Sequence, residues 1–206
     1  MNKKPFWKRV NRGFVVSMAL IAVVLVYVVV TQLMLIPERN EISKLTDGFK
    51  DLMESTSQLT GEQIVSLRAE NALKDEEKRL KRKLSELFVK DSGYIDEAVQ
   101  YLMENIGRQL DNLERITNRS DGKNTEQSYL IDQDVSSSTV TYTYTVSGEY
   151  TDLSTDEKET KKVSDKLQRL YMTVSCKKVD GEWKIYRIGA ARWGNLNEFG
   201  NYEVVR

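Results

Sequence analysis

The chain has 206 residues, enough for one domain with appendages, and its 31 basic and 31 acidic residues cancel to a formal charge of zero. It has no histidine and one cysteine, Cys176. Those two counts exclude Ser-His and Cys-His nucleophile pairs, His-ligated zinc and an intramolecular disulfide, so stability must come from an apolar core.

The charge is unevenly placed. Residues 1–36 carry Lys3, Lys4, Lys8, Arg9 and Arg12 with no acid, which leaves 26 basic against 31 acidic residues beyond them. That acidic remainder argues against nucleic acid as a partner. Gly13 to Pro37 holds no charge at all. As a helix it would cover roughly 36 Å, enough to cross a bilayer core with some tilt. A cleaved signal peptide would have a shorter apolar core ending in small residues, whereas Leu33, Met34, Leu35 and Ile36 are bulky. The basic leader, with Phe6 and Trp7 at the interface, places the N-terminus in the cytoplasm and the remainder outside the cell membrane. The expected organisation is a cytoplasmic tail over 1–12, a transmembrane helix over 13–37, a membrane-proximal helical stalk over 38–59 and an extracytoplasmic domain over 60–206.

Ile42, Leu45, Phe49, Leu52 and Met53 recur at helical spacing and make the stalk a helix. Thr60-Gly-Glu-Gln63 matches a capping box, so a second helix is expected from 61 to 89. A third carries a stripe from Ile95 through Val99, Leu102, Ile106 and Leu110 to Leu113 and Ile116. Residues 118–124 read as a loop, and a short strand is expected over 127–131.

From Thr125 onward the period becomes two. Val140, Tyr142, Tyr144 and Val146 alternate with Thr139, Thr141, Thr143 and Thr145, and Leu170, Met172, Val174 and Cys176 share a face of a second strand. Asp180-Gly181 supplies a tight turn into a third strand, where Trp183 and Ile185 share one face and Tyr186 and Ile188 fall out of phase with them, which suggests a bulge or a second contact surface. Residues 151–166 read as a polar protruding connection. The fold class is α+β, an N-terminal transmembrane helix and helical stalk followed by helices packed on a curved antiparallel β-sheet.

Val179, Gly181, Trp183, Ile185 and Ile188, after the strand at Met172 to Lys178, resemble the closing hairpin of the nuclear-transport-factor-2-like superfamily over roughly residues 60–192. On a single membrane anchor, such a domain is similar to the assembly-factor subunits of bacterial type IV secretion and conjugation systems. The resemblance implies a non-catalytic scaffold or interaction protein whose partners are the membrane, other envelope proteins or a second copy. Because the fold also hosts enzymes and binding proteins with a cone-shaped pocket, a small-ligand-binding domain and an Asp/Tyr-based enzyme stand as alternatives.

Tyr142, Tyr144 and Trp183 are the residues that could line such a pocket, although inward aromatics on a sheet more often form plain core. Asp132, Asp134, Asp180 and Glu182 could supply a base, but Asp180 is explained as a turn residue and no oxyanion donor accompanies the others. No catalytic, cofactor-binding or metal-ligating residue is assigned, and no cofactor is expected. Lys78 to Lys83 reads as a solvated helix face balanced by Asp75, Glu76 and Glu77, with an anionic polymer or headgroup as the functional rival. Cys176 reads as a buried small hydrophobe. Asn118 to Ser120 matches a glycan acceptor, a pattern common by chance. Residues 191–206, with Trp193, Leu196 and Phe199, are expected to fold back over the sheet, the alternative being a docking strand for another subunit.

Overall fold

The computed structural model describes residues 12–90, 92–111, 114–152, 159–196 and 202–203. Two compact units divide between Glu41 and Ile42. In the first, helix α1 (Arg12–Met34) exposes apolar side chains along its length. Its two aliphatic hydroxyls bond within the helix: Ser17 donates to the Gly13 carbonyl at 3.0 Å and Thr31 to that of Tyr27 at 2.8 Å. Such back-bonding satisfies a serine or threonine hydroxyl without water. This is the one helix among the described residues long and apolar enough to cross a membrane. Leu35 interrupts it, and Pro37 sits in the first turn of α2 (Ile36–Ser57), where a missing N–H costs little. The basic tail, Phe6 and Trp7 lie outside the described residues.

The second unit holds the rest of α2, helices α3 (Gly61–Leu67), α4 (Ala72–Leu87) and α5 (Tyr94–Leu110), and an antiparallel sheet. Strands β1 (Glu114–Arg119) and β2 (Lys123–Asp132) both pair with β3 (Val135–Asp152), followed by β4 (Glu159–Val179) and β5 (Glu182–Trp193). A short pair, β6 (Asn195–Leu196) and β7 (Tyr202–Glu203), follows. The expected class, helices on an antiparallel sheet behind an apolar N-terminal helix, is the one observed.

Several boundaries differ from expectation. The segment 38–59 is no stalk separate from the domain, because Ile42, Phe49, Leu52 and Met53 of α2 are buried in the same core as Val140, Leu170, Met172 and Ile185. Apolar residues at helical spacing mark a buried face, and that spacing cannot distinguish a partner helix from the chain's own sheet. The expected helix 61–89 begins at the capping box but breaks at Asn71, which adopts a left-handed φ of 64° that Asn tolerates better than most residues. The third helix stops at Leu110, and Ile116 belongs to β1 instead, since pairing with β3 captures the end of the apolar stripe. Leu113 lies outside the described residues.

The loop expected over 118–124 is present but narrower, at 120–122 between β1 and β2, and β2 runs beyond 127–131 on both sides. The polar connection 151–166 is largely strand. There β3 and β4 stay paired out to Asp152 and Glu159, with 153–158 outside the described residues. The arm's sequence is polar on both faces, so no apolar alternation marks it as strand.

The closing hairpin matches its sequence. Asp180 and Gly181 take φ of 53° and 87°, a turn with both central residues positive. Two register shifts leave Tyr186 and Gly189 of β5 unpaired with β4, which accounts for the phase change between Ile185 and Ile188.

Candidate functional site

The inner face of β3 meets α2 along a polar seam. Tyr142 and Tyr144 alternate onto that face, and Asp47, Lys50 and Glu54 follow one another at helical spacing on α2. The Tyr142 hydroxyl donates to Asp47 Oδ1 at 2.6 Å, and that of Tyr144 to Glu54 Oε1 at 2.6 Å. Lys50 Nζ lies 3.3 Å from Glu54 Oε1 and 5.3 Å from the centre of the Tyr142 ring. Burial works against the lysine's charge, but Glu54 and Asp51 outweigh it and hold the ammonium above its ordinary value.

Beside this seam Arg119 enters from β1. Its guanidinium donates to Ser57 Oγ at 2.8 Å and Gln168 Oε1 at 3.3 Å. It stacks 4.4 Å from the Trp193 ring centre and 5.7 Å from that of Tyr144. Tyr144 and Trp193 are themselves 5.2 Å apart. Gly122 lets the group close, since a Cβ there would lie 2.5 Å from the Tyr144 ring.

The tryptophan beside the tyrosines is therefore Trp193, not the expected Trp183. Tyr142 pairs with Leu170, and Trp183 with Lys178, eight residues along β4. At ~3.3 Å per residue that separation is about 26 Å. Trp183 instead packs under Lys178, whose Nζ lies 5.5 Å from its ring centre. Strand alternation identifies a face but not a position along it, so the two tryptophans were indistinguishable until register was known.

Chemically, this seam is closed on itself. Burial, then the hydrogen bonds and charges of Asp47 and Glu54, push both tyrosine hydroxyls far above their ordinary ionisation range. They remain neutral donors and are poor bases. The other acidic candidates, Asp132, Asp134, Asp180 and Glu182, are exposed at one end of the sheet. Asp132 and Asp134 flank the β2–β3 turn, and the Asp134 carbonyl accepts from the Lys178 N–H at 2.8 Å. Glu182 pairs with Lys184 at 3.4 Å. Among the described residues no cluster of acids or thiols is arranged to hold a metal ion.

In the basic run, Lys78 reaches Asp75 at 3.3 Å, Arg79 grips Glu76, and Lys81 bridges to Asp96 of α5 at 2.6 Å. Cys176 is fully buried, and burial pushes its thiol up to about 12. Both match the bland expectation.

A separate opening lies elsewhere among the described residues. A cleft of about 210 Å³ lies between α5 and β5, lined by Tyr94, Glu97, Ala98 and Tyr101 on one side, Ile188, Gly189 and Ala191 on the other, with Phe49 of α2. None of the three expected pocket residues lines it. The irregularity legible in the sequence lies at Tyr186, three residues before Gly189, and nothing local specifies which helix faces this part of β5.

No protein-family model matches the chain, and no curated protein matches its sequence.

Proposed function

We propose that this chain is a non-catalytic, single-pass membrane protein that mediates protein assembly in the cell envelope. Its N-terminus is cytoplasmic and its α+β domain extracytoplasmic, a role similar to that of the assembly-factor subunits of bacterial type IV secretion and conjugation systems. The observation that carries this reading is the uncharged, outward-apolar run of α1 from Gly13 to Met34 behind a leader of Lys3, Lys4, Lys8, Arg9 and Arg12. The domain supports it by what its polar groups do. Tyr142, Tyr144 and Arg119 are each bonded to neighbours within the fold, an arrangement that stiffens a scaffold.

A small-ligand receptor is less well supported, because the cleft of about 210 Å³ is smaller than the roughly 300–1,000 Å³ of most ligand pockets. The test uses intact cells producing the full chain. Added protease should digest the region beyond residue 41, and mild cross-linking should recover the chain with other membrane proteins. A protected domain would overturn the orientation, and a chain recovered alone would overturn the assembly role.

A further inference from the structure

We propose that the outer edge of β5 from Arg187 to Ala191, with the cleft beside it, docks an extended peptide from a partner protein. That peptide would present an apolar side chain and a neighbouring basic residue. The proposal rests on the interaction-protein reading and names its contact surface.

β5 is the last strand of the sheet, so one edge of its backbone faces away from β4. The chain itself begins a further lane there. Phe88 forms a parallel bridge with Ile185, and the Val89 N–H donates to the Ile185 carbonyl at 2.8 Å. The lane then ends: the Ser92 N–H bonds the Val89 carbonyl at 3.2 Å and the chain turns into α5. Beyond Ile185, no described residue pairs with β5 on that side.

Edge strands are ordinarily blunted by proline, charge or a covering element. Residues 188–191 read Ile-Gly-Ala-Ala, with neither proline nor charge, and the one charge of the edge, exposed Arg187, pairs with Ser175, which alternates with the buried Val174 and Cys176. The covering element, α5, stands off at this point and leaves the cleft. Backbone groups along such an edge supply affinity for an added strand, and a neighbouring pocket supplies specificity through alternate side chains. The cleft suits a single aliphatic side chain, and Glu97, exposed at its rim, is its one charged lining residue. A carboxylate in that position selects a lysine or arginine on the incoming strand and disfavours an acidic one. The bulges at Tyr186 and Gly189 keep the edge from being long and flat, which confines pairing to a short segment.

The experiment selects a displayed library of random heptapeptides against the full chain held in lipid nanodiscs. Enriched peptides should carry an apolar residue two positions from a lysine or arginine, so that both face the cleft, and should slow amide exchange at residues 187–191. Exchanging Glu97→Lys, on an exposed position, should cost them about tenfold in affinity and transfer the preference to peptides carrying an acid in place of the base. Circular dichroism of the variant should be unchanged. The proposal is overturned if no peptide is enriched, if protection falls elsewhere, or if binding ignores the charge reversal. Concentration-dependent protection of 187–191 without peptide would also overturn it, because the occupant would then be a second copy. Membrane proteins that still cross-link to the Glu97→Lys chain would leave the assembly role standing and remove only this surface.

Discussion

The Tyr144 hydroxyl donates to Glu54 at 2.6 Å across ninety positions of sequence, joining the middle of the sheet to a helix expected to stand apart from it. With the matching Tyr142–Asp47 bond it ties α2 to β3 through two neutral donors and two acceptors. The pH consequence follows from the raised ionisation of both tyrosines. In the unfolded chain they ionise near the ordinary tyrosine value of about 10, while in the fold they keep their protons. The unfolded state therefore binds fewer protons above pH 10, and stability is fully present below that pH and lost as pH rises beyond it. Urea midpoints measured from pH 7 to 11 should fall at the alkaline end. Tyr142→Phe with Tyr144→Phe should flatten that fall while costing about 1–3 kcal/mol at pH 7, because two carboxylates lose a donor.

Arg119 should not tolerate lysine. Its guanidinium serves Ser57, Gln168 and two aromatic rings at once, which a point ammonium cannot reproduce. Arg119→Lys is expected to lose about 1–2 kcal/mol in urea unfolding and to shift Trp193 emission. A double-mutant cycle with Trp193→Phe should return a non-additive remainder, whereas strict additivity would show the stack to be energetically idle.

A chain starting at residue 60 should fail to fold. It would lack Ile42, Phe49, Leu52 and Met53 from the core, and the carboxylates that receive both tyrosines. Removing buried side chains of this size costs about 2–5 kcal/mol each, which together exceeds the stability of most domains. A chain starting at residue 38 should retain a cooperative thermal transition. If the shorter chain also unfolded cooperatively, α2 would after all be an independent stalk.

Gly148→Ala should be among the most damaging single-methyl additions. A Cβ there would lie 2.3 Å from the Arg115 carbonyl oxygen and 2.9 Å from the Ile116 Cα, both backbone atoms that cannot rotate aside. The pairing of β1 with β3 has to shift, and the expected loss is about 2 kcal/mol or more in chemical denaturation. Gly189→Ala is the control, with a Cβ only in ordinary contact at 3.5 Å from Thr173, and should be close to neutral.

What could be read from the residues alone is what neighbouring residues decide among themselves. The apolar span, the capping box at Thr60, the two-residue turn at Asp180-Gly181 and the bulge in β5 each depend on short-range chemistry, and each lies where local pattern placed it. The same holds for Cys176 and the paired charges of α4. Tertiary structure decided what each buried face meets. A helical stripe such as Ile42 to Met53 announces that it will be covered without naming the cover, and only the fold assigns it to the sheet. Alternation put both Tyr144 and Trp183 on inner faces, yet strand register, set by pairing across distant segments, placed Trp193 beside the tyrosine. The cleft at Gly189 is likewise a meeting of β5 with a helix some ninety residues earlier, and no periodicity within either segment specifies that encounter.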